Sequence, residues 1–172
     1  MIIRENIIYQ SISCIAEGCD PGFLENIPTH LAFIKEFFET QGLLLDNSLE
    51  QLKEVERFVA ANRENQELHT TTFFQGLVAY CGELIRLRTP GNWHLVVSKA
   101  SVIYEKDRYF PVVADESGGH CEFSGEVEYQ LAHLLNPNLG LDKMRGLYYT
   151  IALARMEIPR PPIDTHNMPL PF

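Results

Sequence analysis

Basic side chains are scarce in this chain: 14 Lys and Arg stand against 23 Asp and Glu, a formal charge of −9. A nucleic-acid binder displaces counterions with clustered Lys and Arg, and an anionic membrane surface attracts the same residues. Neither nucleic acid nor membrane is therefore an expected partner, whereas a protein with a basic surface is. Long apolar runs are lacking too, and none approaches the ~18 residues that a membrane span needs. The opening Met1-Ile2-Ile3-Arg4-Glu5-Asn6-Ile7 carries an acid and an amide inside its apolar stretch, unlike a signal peptide. Cysteine is limited to Cys14, Cys19, Cys81 and Cys121. Cys81 falls within an apolar helical pattern, which favours free thiols in a reducing compartment over a disulfide framework. The expected localisation is cytoplasmic.

Recognisable chemistry is missing as well. The chain has no phosphate-binding loop, no dinucleotide fingerprint and no Gly-x-Ser-x-Gly elbow, so no cofactor is expected. His120-Cys121, with Asp115, Glu116 and Glu122 nearby, gathers residue types used by nucleophilic and zinc sites. Adjacent positions rarely give a base and its nucleophile the right geometry, and the spacings of a zinc site are not there. No catalytic residue and no metal ligand is assigned.

What is present is a globular composition, 45% hydrophobic and 22% charged over 172 residues, enough to bury a core without staples. No repeat and no Gly/Ser linker divides it, so one domain is expected over 1–156, followed by a proline-rich extended arm over 157–172. Ile3, Ile7, Ile8, Ile12 and Ile15 fit a helical stripe. Thr29 is placed to cap a helix running to Thr40, with Leu31, Ile34, Phe37 and Phe38 inward and Gly42 as its stop. Ser48 and Gln51 have capping-box spacing ahead of Leu52, Val55, Phe58 and Val59, with Glu50, Lys53, Glu54, Glu56 and Arg57 as the solvated side. Thr72 and Gln75 repeat that spacing ahead of a third helix, which ends near Thr89-Pro90-Gly91. The period then changes to that of strands at 93–98, 101–105 and 109–113, with Lys106-Asp107-Arg108 as a hairpin tip and Pro111 marking an edge strand. A loop over 115–119 precedes a helix from Ser124 or Gly125, and a last helix spans 141–156 with Met144, Leu147, Tyr148 and Ile151 inward. The fold class is α+β: a helical N-terminal half packed on a small antiparallel sheet, then two helices and the proline-rich tail.

The third helix carries the most unusual segment, Ala79-Tyr80-Cys81-Gly82-Glu83-Leu84-Ile85-Arg86. Phe74, Leu77, Val78, Cys81 and Ile85 make one apolar stripe. Gly76, Ala79 and Gly82 leave room for another backbone to approach, since glycine in a helix interior costs up to ~1 kcal/mol and calls for a packing reason. Glu83 beside them is expected to be partly buried and to need a partner, Arg86 at i+3 or backbone amides. Ser48-Leu49-x-x-Leu52-x-x-Val55-Glu56-x-Phe58-Val59, then Ala79-Tyr80-x-Gly82-Glu83-x-Ile85-Arg86 and Gly91-x-Trp93, resembles a widespread bacterial domain. That domain reads "SLExLDxFI", then "AYLGEVIRxxxGGxW", then a short β-region. The resemblance spans 43–113 and implies a fold core and a bacterial origin, with no activity attached. Cys81 stands where the pattern has leucine, and Glu56 where it has aspartate.

Two surfaces compete for function. Tyr80, Glu83, Arg86 and Trp93 form either a polar pocket for a small ligand or a structural ion pair tying the helix to the strand after it, and the second is favoured. Asp115, Glu116, Glu122, Glu126 and Glu128 lie in a stretch, 115–128, without Lys or Arg. They form either a face for a basic partner or ordinary acids before and inside a helix N-terminus. The leading functional expectation is a non-enzymatic interaction module, for instance an immunity-type protein that neutralises a basic toxin. A small-ligand protein or enzyme built on Glu83 is second, and a homo-oligomer joined through the proline-rich arm is third.

Overall fold

A computed structural model of the chain describes residues 19–102, 105–139 and 146–154. The expected N-terminal helix, Cys14, Met144 and the proline-rich arm lie outside them. Five α-helices and one three-stranded antiparallel sheet make up the described fold: α1 (Ile27–Thr40), α2 (Gln51–Ala61), α3 (Thr71–Arg86), β1 (Asn92–Ser98), β2 (Arg108–Ala114), β3 (His120–Glu122), α4 (Ser124–Leu135) and α5 (Gly146–Ala152). This is the α+β class, helices first, then sheet, then helices. Among the described residues no helix is long and apolar enough to cross a membrane.

Helix α3 is the axis of the core. Phe73, Phe74, Leu77, Val78, Ala79, Tyr80, Cys81, Leu84 and Ile85 are all buried, so apolar contact surrounds it rather than covering one stripe. Its small residues set the approach of its neighbours. A Cβ on Gly76 would lie 3.0 Å from Ile34 Cβ and 3.3 Å from the His30 carbonyl, so α1 packs there almost backbone to backbone. Behind α1 an aromatic cluster fills the space to α2: Phe37 meets Phe38, Phe58 and Phe73 edge-on at ring separations of 5.2, 6.0 and 5.3 Å.

The helix starts depart from the expected caps. α1 begins two residues before Thr29, because Pro28 takes the first turn, where its missing N–H costs nothing. The Ser48 capping box does not form: Ser48 N–H donates to the Asp46 carboxylate at 2.8 Å, closing an Asx turn, and α2 starts after Glu50. α3 is capped by Thr70, whose hydroxyl accepts from Phe73 N–H at 3.2 Å, rather than by Thr72. For α2 and α3 a polar residue two positions earlier engages the backbone instead of the expected one.

The sheet order is β1-β2-β3, with Trp93 opposite Val113 and Val113 opposite Cys121. The expected strand at 101–105 is not formed by Ser101, Val102 or Glu105, which belong to the loop between β1 and β2. The third strand is instead His120–Glu122, too short for its alternation to show. Pro111 was expected on an edge, yet β2 is the central strand. Cys19 N–H donates to the Tyr109 carbonyl at 2.7 Å, so Tyr109 turns its polar groups away from β1, and by alternation Pro111 does too. On that side β3 reaches only to Val112. The missing N–H of Pro111 therefore faces a gap in the ladder, where it costs no bond.

By register the inner sheet face carries Trp93, Val113 and Cys121 toward α3, and the outer face carries His94, Val96, Phe110, Val112 and Glu122. Val112 is buried although it stands on the outer face and outside the main core cluster. The start of α4 folds over that face.

Candidate functional site

Glu83 leaves α3 one residue after Gly82, and the indole of Trp93 occupies the space that a Gly82 side chain would take. A Cβ there would come 2.0 Å from Trp93 Cη2 and 2.5 Å from Phe123 Cζ. Trp93 in turn meets Phe123 edge-on at 5.8 Å and Phe23 at 6.0 Å. This seat directs the indole N–H to Glu83: Trp93 Nε1 donates to Oε2 at 3.2 Å. Arg86 Nε donates to the same oxygen at 2.9 Å, and Arg86 Nη2 donates to Oε1, a two-point clamp one helical turn on. The Arg86 guanidinium holds the Glu83 carboxyl below the usual range, against the opposing pull of partial burial, with help from the indole N–H.

Tyr80, the fourth residue of this candidate set, points elsewhere. Its hydroxyl donates to the Asp46 carbonyl at 2.6 Å, tying α3 to the loop before α2. Burial pushes its phenol well above the ordinary value, and the same cause raises the sealed thiol of Cys81. The structure thus joins Glu83, Arg86 and Trp93 and separates Tyr80 from them.

The acids of 115–128 are dispersed among three environments. Asp115 is used by its own turn, accepting from Ser117 Oγ at 2.7 Å, Gly119 N at 2.8 Å and Ser117 N at 3.0 Å. The Ser117 hydroxyl is the main reason its carboxyl titrates lower than usual. Glu116, Glu122 and Glu126 are exposed. Glu128 is half-buried, and desolvation pushes its carboxyl up to about 8.

Glu122 and Glu126 border a groove of about 330 Å³ whose floor is Val96, Phe110 and Val112 and whose end is Ser124 and Gly125. Sequence reasoning missed the floor. The signal was available: in β1 and β2 apolar residues occupy both alternating faces, as they do when both faces are covered or one is kept for a partner. It also missed Glu56, expected on the solvated side of α2. Glu56 is half-buried and accepts from Tyr148 N–H at 3.1 Å, while Gln130, almost fully buried, accepts from Gly146 N–H at 3.1 Å. The two side chains satisfy the first amides of α5. Desolvation raises the Glu56 carboxyl, against the pull of those amides.

Comparison with protein families, with curated proteins and with solved structures finds no match to this chain. The resemblance expected over 43–113 gains no support from these comparisons, and function rests on the site itself.

Proposed function

We propose that the protein is a non-enzymatic interaction module that binds a partner with a basic surface through the outer sheet face and the start of α4. The observation that carries this reading is the groove in which apolar Val96, Phe110 and Val112 lie beside the exposed carboxylates Glu122 and Glu126. Apolar floor and charged rim are the division found in protein interfaces, where the floor supplies affinity and the rim supplies orientation and approach rate. The charge of −9 favours the same class of partner at long range. An immunity-type protein, masking the cationic surface of a toxin, is the concrete form of this reading.

The competing small-ligand reading at Glu83 gains nothing from the geometry. Both Glu83 oxygens already accept from Arg86 or Trp93, and the Tyr80 hydroxyl is held by a backbone carbonyl. That arrangement supports a tie between helix and sheet.

The test is the affinity of an oligo-arginine peptide for the full chain, measured by calorimetry against salt. Charge reversal at Glu122 and Glu126 is expected to weaken it at least ~10-fold, the same reversal at Glu36 and Glu39 on α1 to leave it within ~2-fold. Equal losses from both pairs would reduce the effect to net charge and defeat the proposal.

A further inference from the structure

The end of the groove holds an uncapped helix start and an unspent hydroxyl. Phe123 occupies the N-cap position of α4 and offers no side-chain acceptor, so the first amides of the helix have no capping partner. The first helical bond is Val127 N–H to the Phe123 carbonyl at 2.9 Å. Ser124 is only 7% exposed, and no hydrogen bond engages its hydroxyl among the described residues. Its oxygen is not sealed from solvent, and the residue lines the groove, where a ligand N–H can reach it. Gly125 beside it has open space where a Cβ would project, with nothing within 4 Å.

Resting on the interaction reading above, we infer that this groove is a receptor for one arginine side chain of the protein partner. Its aliphatic stem lies on Val96 and Val112, its guanidinium plane reaches Phe110, and its N–H groups divide between the Glu122 and Glu126 carboxylates and the Ser124 hydroxyl. Arginine fits better than lysine for three reasons. A guanidinium is weakly hydrated, so an apolar floor costs it less; it stacks on an aromatic ring; and its fixed fork of five donors can serve several separated acceptors at once. The chain's own Arg108 already engages one ring of the floor. It lies over the Phe110 ring at 5.4 Å and donates to Ser98 Oγ at 3.3 Å, which shows the ring accepting a guanidinium on this strand. His120 Nε2 lies 3.5 Å from Glu122, a contact that a guanidinium would displace.

The experiment is an amide NMR titration of the full chain with N-acetyl-arginine-N-methylamide, a single capped residue whose affinity is expected in the millimolar range. The lysine, citrulline and norleucine analogues and free arginine serve as comparators. The arginine compound is expected to shift Val112, Ser124, Gly125 and Glu126. Lysine should bind at least ~3-fold more weakly, and citrulline, which keeps the shape and loses the charge, should not bind. Converting Glu122 and Glu126 to Gln is expected to weaken binding ~10-fold. Gly125→Leu, which plugs the groove at a helix position free of clashes, should abolish it while leaving the Tm unchanged.

Equal shifts from norleucine and citrulline would make this a plain apolar groove and overturn the inference. Tighter binding of free arginine than of the capped residue would overturn it in favour of a metabolite site. If oligo-arginine binds in the charge-reversal experiment but the capped residue never reaches the groove, the interaction reading stands and this inference fails. If neither binds, both fail.

Discussion

At the scale of single residues, Gly82 is the position where the fold has no slack. The Trp93 and Phe123 rings sit where its side chain would be, and both are fixed by further ring contacts. Gly82→Ala should therefore cost ~3 kcal/mol or more, read as a lower midpoint in urea, although the same change at an ordinary helix position stabilises by about 1 kcal/mol. Glu83→Gln keeps the shape of the clamp and removes its charge. Arg86 is one-third exposed by side chain, 35% against 21% for Glu83, so water screens the pair and the loss should be only ~1 kcal/mol. A larger loss, or one abolished by removing Arg86 first, would be measured in a double-mutant cycle. The sequence made this trio readable because glycine inside a helix and a carboxylate beside it both demand an explanation. It hid where Tyr80 goes, since three residues along a helix fix a face but not which neighbour a long side chain reaches.

At the scale of elements, periodicity located α1 to α5, β1 and β2, with Leu147 and Ile151 of α5 buried as expected, while the ends and the shortest strand escaped it. Ends escaped because several polar residues compete for each cap: Asp46 took Ser48, and Thr70 stood closer than Thr72. Three-residue β3 is below the length at which alternation can show. Helix α5 depends on two side chains from elsewhere, Glu56 of α2 and Gln130 of α4, and no local pattern can announce such a bond across 92 residues. Because α5 has only seven residues, its own helical tendency is small and docking holds it in place. Glu56→Ala should loosen it, with a cost of ~1–2 kcal/mol and faster amide exchange at Leu147 and Ile151 than in α3. Gly146 belongs to the same joint: its φ of +81° suits glycine alone, and a Cβ would meet Glu56 Oε1 at 2.6 Å. Gly146→Ala should reproduce much of the loss.

For the whole molecule, its acids pull stability in opposite directions as pH changes. Glu83 has a lowered folded-state carboxyl, so the stability it adds is fully present above its unfolded value and is lost as pH falls below that through the lowered folded-state value. Glu56 and Glu128 are raised by desolvation, so the folded state holds their protons more tightly than the unfolded chain. Their contribution is fully present below the unfolded value and is lost as pH rises, for Glu128 through about 8. Mutual repulsion within a chain of −9 acts in the same sense. Thermal stability should therefore peak at mildly acidic pH, ~5 to 6, and decline toward 8. Repulsion and Glu128 are separated by Glu128→Gln compared with Glu116→Gln, an equal charge change at an exposed position. Water reaches half-buried Glu128 and trims its effect, so Glu128→Gln should gain ~1 kcal/mol at pH 8, ~3 °C in Tm, with the gain vanishing below pH ~4.5. Glu116→Gln should give well under half of that. If the two variants follow the same curve across this window, net charge alone sets the pH dependence and the burial of Glu128 contributes nothing to it.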